Sequence, residues 1–464
     1  MDILMVAAEL GPYARASNAG DAVLALSKSL RQLGHHVTLA LPRYPTFEAH
    51  GLLVARRLTP LVLGGELEVT VFDGQLSSGV ALVLFDVPGL YEEPAILAEG
   101  AGALANLERS EILCRAAAAL IRQRAQQQKP FDAVHLHDWP AALVPHYAGD
   151  AAPPSVLTVH DVRRQGRFPG SSAKDLPEQA RDAAGVCLLR AGLHTARVVT
   201  TVAPAYAAQF SSPELAGSLA EDFAVLPHPV TGIVGGVDYA IFNPATDPGL
   251  DSRYDAEDPS NKGRTKAAVL RQLGLELELE RPLLVLAGDL DREHGADLLL
   301  AALPDLLRQD LAVAVVGAGD PELEEAFARE RSEHQGDVGF LEATDDALLR
   351  RLCAAADFVL IPARYEPCGT RQLVAQRYGA LPIARATSGL VDTIVDTDAA
   401  LETGTGFLFD EDSPAALLGA VERALAAFSS PSWPKLRRRV MRLDLSWDRP
   451  ARRYVQMYRE AASG

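Results

Sequence analysis

Short apolar runs alternate with segments of helical period along the whole chain. Ile3 to Ala7 is one such run; Val23, Leu26, Leu30 and Leu33 then recur at helical spacing, and Gly34 closes the helix. Val37 to Leu41, Ala133 to Leu136, Val156 to Val159 and Val198 to Val202 predict further strands, the later ones followed by polar or glycine-bearing turns. Alternation of this kind predicts a mostly parallel sheet with helices on both faces. At residues 243–263, NPATDPGLDSRYDAEDPSNKG, Pro, Asp, Gly and Asn dominate and apolar periodicity stops, which places an interdomain connection near there. The pattern then restarts. Leu283 to Leu286, Val313 to Val316, Val338 to Leu341, Phe358 to Ile361 and Leu381 to Ala384 read as strands, with a helix over Ala347 to Ala356 among the segments between them. The fold class expected is α/β, with two doubly wound Rossmann-like domains, residues 1–242 and 243–445, and an interdomain cleft.

Composition narrows this picture without changing it. A chain of 464 residues is too long for one core, and 48% apolar with 23% charged residues suits a globular protein. The opening MDILMVAAELGP has no basic segment ahead of its apolar run, which is too short for a signal peptide, and no stretch is long enough to span a bilayer. Cys114, Cys187, Cys353 and Cys368 are widely separated, without metal-ligand spacing, so reduced thiols in a cytoplasm are expected. A formal charge of −17 disfavours nucleic acid and anionic membrane as partners.

Candidate chemistry collects at strand ends. Arg364 to Gly379, RYEPCGTRQLVAQRYG, follows the run Asp357 to Pro362 and sets Glu366 and the small-residue turn Cys368-Gly369-Thr370 at a strand-to-helix corner, followed by Arg371. Open α/β sheets present ligands at such corners. Gly11 to Asp21 links the first strand to the first helix and contains Arg15, Ser17, Asn18 and Gly20; taken alone it is an ordinary loop with Asp21 as helix cap. His135-Leu136-His137-Asp138-Trp139 and Thr158-Val159-His160-Asp161 end two successive strands. Val316-Gly317-Ala318-Gly319-Asp320 lacks the third glycine of a dinucleotide fingerprint and is set aside.

These segments, in this order, resemble bacterial glycogen synthases and plant starch synthases. The likeness covers nearly the whole chain and is strongest at 135–139, 196–206, 364–379 and 445–450. It implies the GT-B fold and retaining transfer of glucose from a nucleotide sugar, ADP-glucose, to an α-1,4-glucan, with no cofactor and no essential metal. It also implies that residues 446–464 form a last helix packing back on the first domain, with Trp447 as a packing residue. In the roles so implied, Glu366 holds sugar hydroxyls, and His160 and Asp138 line the reacting face. Backbone around Cys368, Gly369, Thr370 and Arg371 holds donor phosphate, and Arg15, Gly20 and Asp21 belong to the phosphate loop.

The chain departs from the family pattern where the donor phosphates would lie. Arg15 stands for a lysine, Ser17 and Asn18 replace glycines, and Asp161 replaces an asparagine. In Leu286-Ala287-Gly288-Asp289-Leu290-Asp291-Arg292-Glu293-His294-Gly295, Asp289 and His294 stand where the family has an arginine and a lysine. Positioned cations of that kind are worth about 10²–10³-fold each in rate. Arg371, where the family has threonine, is a candidate substitute; a solvated arginine or an ion pair with Glu366 is the plainer account. Three outcomes stay open: an active transferase, a transferase with another nucleotide-sugar donor, and a paralogue that no longer transfers and acts as a glucan-binding or regulatory partner of an active glycogen synthase.

Overall fold

A computed structural model of the chain describes residues 1–93, 103–170, 176–182, 184–343 and 345–463. The chain divides into two compact units, Met1–Gly235 with Trp447–Gly464, and Gly236–Ser446.

The first unit is built on a twisted sheet. Its parallel part runs through β1 (Asp2–Val6), β2 (His36–Pro42), β6 (Ala81–Asp86), β7 (Ala133–His137), β8 (Ser155–Val159), β12 (Val198–Thr201) and the short β13 (Thr231–Gly232). The spatial order is β13-β12-β8-β7-β1-β2-β6, continued by an antiparallel flank of β5 (Leu67–Gln75) with β3 (Val54–Arg56) and β4 (Leu61–Leu63). A small separate sheet joins β9 (Arg167–Phe168), β10 (Arg181–Asp182) and β11 (Gly185–Cys187). β7 and β8 are buried at every residue, so neither alternates apolar with charged positions; their buried His135, His137, Ser155 and Thr158 interrupt the apolar residues. The terminal helix Asp448–Ser463 packs on the strands of this same unit: the Tyr458 hydroxyl lies 2.9 Å from His135 Nδ1. Trp447 lies against Gly235, where a Cβ would come within 3.0 Å of its ring.

The second unit holds an all-parallel sheet of β14 (Leu283–Leu290), β15 (Ala312–Gly319), β16 (Val338–Leu341), β17 (Phe358–Ile361), β18 (Leu381–Arg385) and β19 (Phe407–Phe409). The order β16-β15-β14-β17-β18-β19 is the doubly wound one, reversing between β14 and β17. Alternate residues of β14 feed two cores: Leu283, Val285 and Ala287 one face, Leu284 and Leu286 the other. Each such fully buried leucine contributes roughly 1.5–3 kcal/mol. Gly317 and Gly319 let β14 and β15 close up, since a Cβ at either would collide with the Gly288 or Leu290 carbonyl. The glycines of that segment serve packing.

The stretch 243–263, read from composition as the connection, is folded into the second unit. Asp247 is buried and accepts from the Tyr378 hydroxyl at 2.6 Å and Arg350 Nε at 3.1 Å. Asn243, Asp247, Asp255 and Asp258 accept backbone N–H groups two or three residues on, so irregular backbone is satisfied locally without periodic apolar residues.

Candidate functional site

In both units the candidate residues lie at the carboxyl ends of strands flanking the point where strand order reverses. In the first unit that point falls between β1 and β7. Just beyond β1, Glu9 is buried and gathers the following loop: its Oε2 accepts from Ala16 N–H at 2.8 Å and Ser17 N–H at 2.6 Å, and its Oε1 from the Ser17 hydroxyl at 2.6 Å. Ser17 Oγ in turn accepts from Ala19 N–H at 3.1 Å and caps the helix Asn18–Gln32. The cap is therefore Ser17 and not Asp21, which sits a turn further in and pairs with Arg15 at 2.8 Å. Gly20 is needed for close approach, because a Cβ there would lie 2.9 Å from Gly11 N and 3.1 Å from Glu9 Oε2.

Asp138 follows β7 in a left-handed conformation, φ +56°, and its Oδ1 accepts the His160 N–H at 2.7 Å from the end of β8. His137 Nδ1 and His160 Nε2 are 3.1 Å apart, and the His137 and His135 ring centroids lie 4.1 Å apart with the rings tilted by 36°. Behind them His135 Nε2 meets Thr158 Oγ1 at 2.7 Å, and Thr158 meets Thr200 at 2.7 Å. Burial pushes Asp138 up to about 7, opposed by the His160 N–H and reinforced by Asp161. Burial also raises Glu9, against its bonds from Ser17 and Ala16 and with Asp138 adding to the rise. Burial lowers His160 to about 4 and His135 to about 3, so these imidazoles are neutral at pH 7, and it holds His137 well below its usual value. A neutral imidazole and a carboxyl that takes up a proton near pH 7 can exchange hydrogen bonds with sugar hydroxyls without a net charge.

In the second unit the reversal point brings the end of β14 beside the corner after β17. Gly288 has φ +121°, and a Cβ on it would collide with the guanidinium of Arg371, the first residue of the helix Arg371–Arg377. Arg371 pairs with Asp289 at 3.6 Å, and among the described residues its guanidinium donates no hydrogen bond. The alternatives of a solvated arginine or a Glu366 pair give way to this one. His294 lies 3.8 Å from Asp289 through Nε2, while its Nδ1 and backbone N–H reach Asp291 Oδ1 at 2.8 and 2.7 Å. Asp291 is held low: burial opposes, but the two His294 bonds and its charge prevail. Burial raises Glu366, opposed by Arg371, His294 and the Cys368 N–H and reinforced by Asp289. Gly369, φ +64°, lies against Glu366 and Gln372, and Gln372 Nε2 donates to Cys368 O at 2.7 Å while its buried Oε1 has no partner among the described residues. Thr370 is exposed beside them.

Thus Asp138 and His160 meet with Glu9 in one unit, and Asp289, His294, Glu366, Cys368, Gly369, Thr370 and Arg371 meet in the other. Arg15, Gly20 and Asp21 share the Glu9 loop. Sequence reasoning missed Glu9 as a site residue and used His137 only within its motif. The signal for Glu9 was its place, a carboxylate just past the first parallel strand. Trp139 is fully buried against Gly166 and Phe168, a packing residue. Ser388 holds φ +41°. Among the described residues no group of three or more His, Cys, Asp or Glu side chains could hold a metal ion, and no helix is long and apolar enough to cross a membrane.

Residues 2–224 match the family of the starch synthase catalytic domain, and residues 274–439 match glycosyl transferases group 1. The glycogen synthase of Anaeromyxobacter sp. (strain Fw109-5) is 37% identical over 491 aligned positions, covering 100% of both chains. That of Acidiphilium cryptum (strain JF-5) is 34% identical over 483, again covering 100% of both. The solved catalytic domain of starch synthase IV from Arabidopsis thaliana, bound to ADP and acarbose, superposes with a TM-score of 0.88 at 27% identity, covering 100% of this chain and 99% of that one. Sucrose-phosphate synthase from Thermosynechococcus elongatus, at a TM-score of 0.59 and 18% identity, shares the fold.

Proposed function

The chain belongs to the glycogen and starch synthase family of glycosyltransferases, and from that premise we propose that it moves glucose from ADP-glucose to the non-reducing end of an α-1,4-glucan, with retention at the anomeric carbon. Its fold is of GT-B type, two Rossmann-like domains, and it is a glycogen/starch-synthase-like glycosyltransferase. The observation that carries the proposal is the full-length likeness to glycogen synthases, which favours transfer over a role confined to glucan binding. The ADP bound to the Arabidopsis relative supports adenine as the donor base.

In this mechanism the bond between the anomeric carbon and the β-phosphate oxygen breaks as the acceptor hydroxyl oxygen bonds to that carbon on the same face, and the departing β-phosphate oxygen of ADP takes up the hydroxyl's proton. Glu366 accepts hydrogen bonds from hydroxyls of the transferred glucose. His160, neutral at pH 7, offers its imidazole to a sugar hydroxyl while Asp138 fixes its backbone through the 2.7 Å bond. Glu9 holds the Arg15–Ser17 loop in place. The Arg371 guanidinium, whose donors make no hydrogen bond among the described residues, faces the departing diphosphate together with the backbone at Cys368 to Thr370. No side chain need become covalently attached. The expected result is a ladder of maltooligosaccharides, each longer than the primer by successive glucoses, dependent on ADP-glucose. A primer left unextended at saturating donor would refute the proposal.

A further inference from the structure

At the end of β14 an aspartate and an arginine from distant parts of the chain occupy one small volume. Arg371 reaches back from the start of its helix and lies flat against Gly288, a position where a Cβ would have no room, and φ +121° suits glycine. Asp289, the next residue, meets that guanidinium at 3.6 Å and stays largely open to solvent. The charges of Arg371 and Asp289 both act on Glu366, so all three share one locality. Asp289 answers the charge of Arg371 without accepting a hydrogen bond from it, so among the described residues the five donors of the guanidinium stay open to an anion that can accept them.

We propose that residues 289 and 371 form an exchanged pair sharing a single guanidinium site: the cation that meets the donor diphosphate is delivered from residue 371, and either position can carry it but not both. This rests on the ADP-glucose function proposed above and adds a coupling between two residues. Asp289 is the counter-charge of Arg371. Replacing it alone with a cation sets two like charges against each other over Gly288. An arginine at 289 therefore improves nothing while Arg371 stays, and compensates only when Arg371 is removed.

The test is a double-mutant cycle on the full chain, with ADP titrated by calorimetry and folding checked by thermal melts. Arg371→Thr should weaken ADP binding about 10- to 100-fold, the loss expected for charge-assisted hydrogen bonds to phosphate. Asp289→Arg alone should bind ADP no more tightly than wild type. Asp289→Arg with Arg371→Thr together should recover most of the loss of the single Arg371 variant. If Asp289→Arg does not fold, Asp289→Lys in both backgrounds gives the same comparison. Equal tightening by the 289 substitution in both backgrounds would show two independent sites and overturn the exchange. Undiminished ADP binding by Arg371→Thr would overturn it as well. A wild-type chain that binds no ADP fails the proposed donor itself, and the exchange falls with it; the wild-type titration alone distinguishes these failures.

Discussion

Asp138→Asn should make the protein more stable at pH 8 and leave it nearly unchanged at pH 4. The carboxyl is 8% exposed and its ordinary value of 3.8 is raised to about 7. Around it stand the His160 N–H, Asp161 and Arg164, with Glu9 close enough to feel its charge. Below 3.8 the carboxyl is protonated in both folded and unfolded chains and adds no pH dependence. Between 3.8 and about 7 the unfolded chain has lost the proton while the folded chain keeps it, so stability falls as pH rises. Above about 7 the full penalty is present. A rise of that size corresponds to about 4 kcal/mol at most, since one pKa unit is about 1.4 kcal/mol. Asparagine keeps an oxygen for the His160 N–H, tolerates positive φ, and carries no charge to bury. Denaturant unfolding of both proteins, followed by tryptophan fluorescence at pH 4 and pH 8, reads the difference directly. A gain at pH 8 that is matched at pH 4 would refute the titration, as would a loss at pH 8.

Three further substitutions probe how each unit is held together. Lys266 and Asp357 form a buried pair at 2.7 Å, with Lys266 also donating to Leu279 O and Arg281 O, and Asp357 also accepting Leu283 N–H at the start of β14. Lys266→Met strands that carboxylate and should cost about 3–5 kcal/mol in denaturant unfolding; Lys266→Met with Asp357→Asn should recover much of it, and equal costs would contradict the pairing. Gly20→Ala forces its Cβ against Gly11 N and Glu9 Oε2, so it should destabilise by about 1–3 kcal/mol. It should also lower kcat by displacing Glu9; unchanged kinetics would separate Glu9 from the reaction.

The parallel strands were legible because strands buried on both faces carry apolar runs, continuous in β14 over Leu283 to Ala287 and broken only by buried His, Ser or Thr in β7 and β8. The antiparallel flank was not: Ala55 and Arg56 are exposed, and three-residue edge strands such as β3 and β4 hold too few positions for a period. The connection was misplaced because Asp- and Asn-closed turns look alike whether they link units or line one. Ser17 was missed as a cap in favour of Asp21, since both residue types cap helices and only the Glu9 contact decides between them. The corner at Glu366 was readable as a motif, yet the meeting of Arg371 with Asp289 has no local signal. It follows from strand order, which sets β14 beside β17 and so brings two distant charges together.

Incorporation of labelled glucose from ADP-glucose into glycogen, measured for the wild-type chain and Arg371→Thr side by side, tests the central claim most directly. Sustained incorporation by the wild type, falling by about 10²-fold or more in the variant, is predicted from the loss of a positioned cation. A wild-type chain that binds glucan yet incorporates no label, or a variant as active as the wild type, would contradict it.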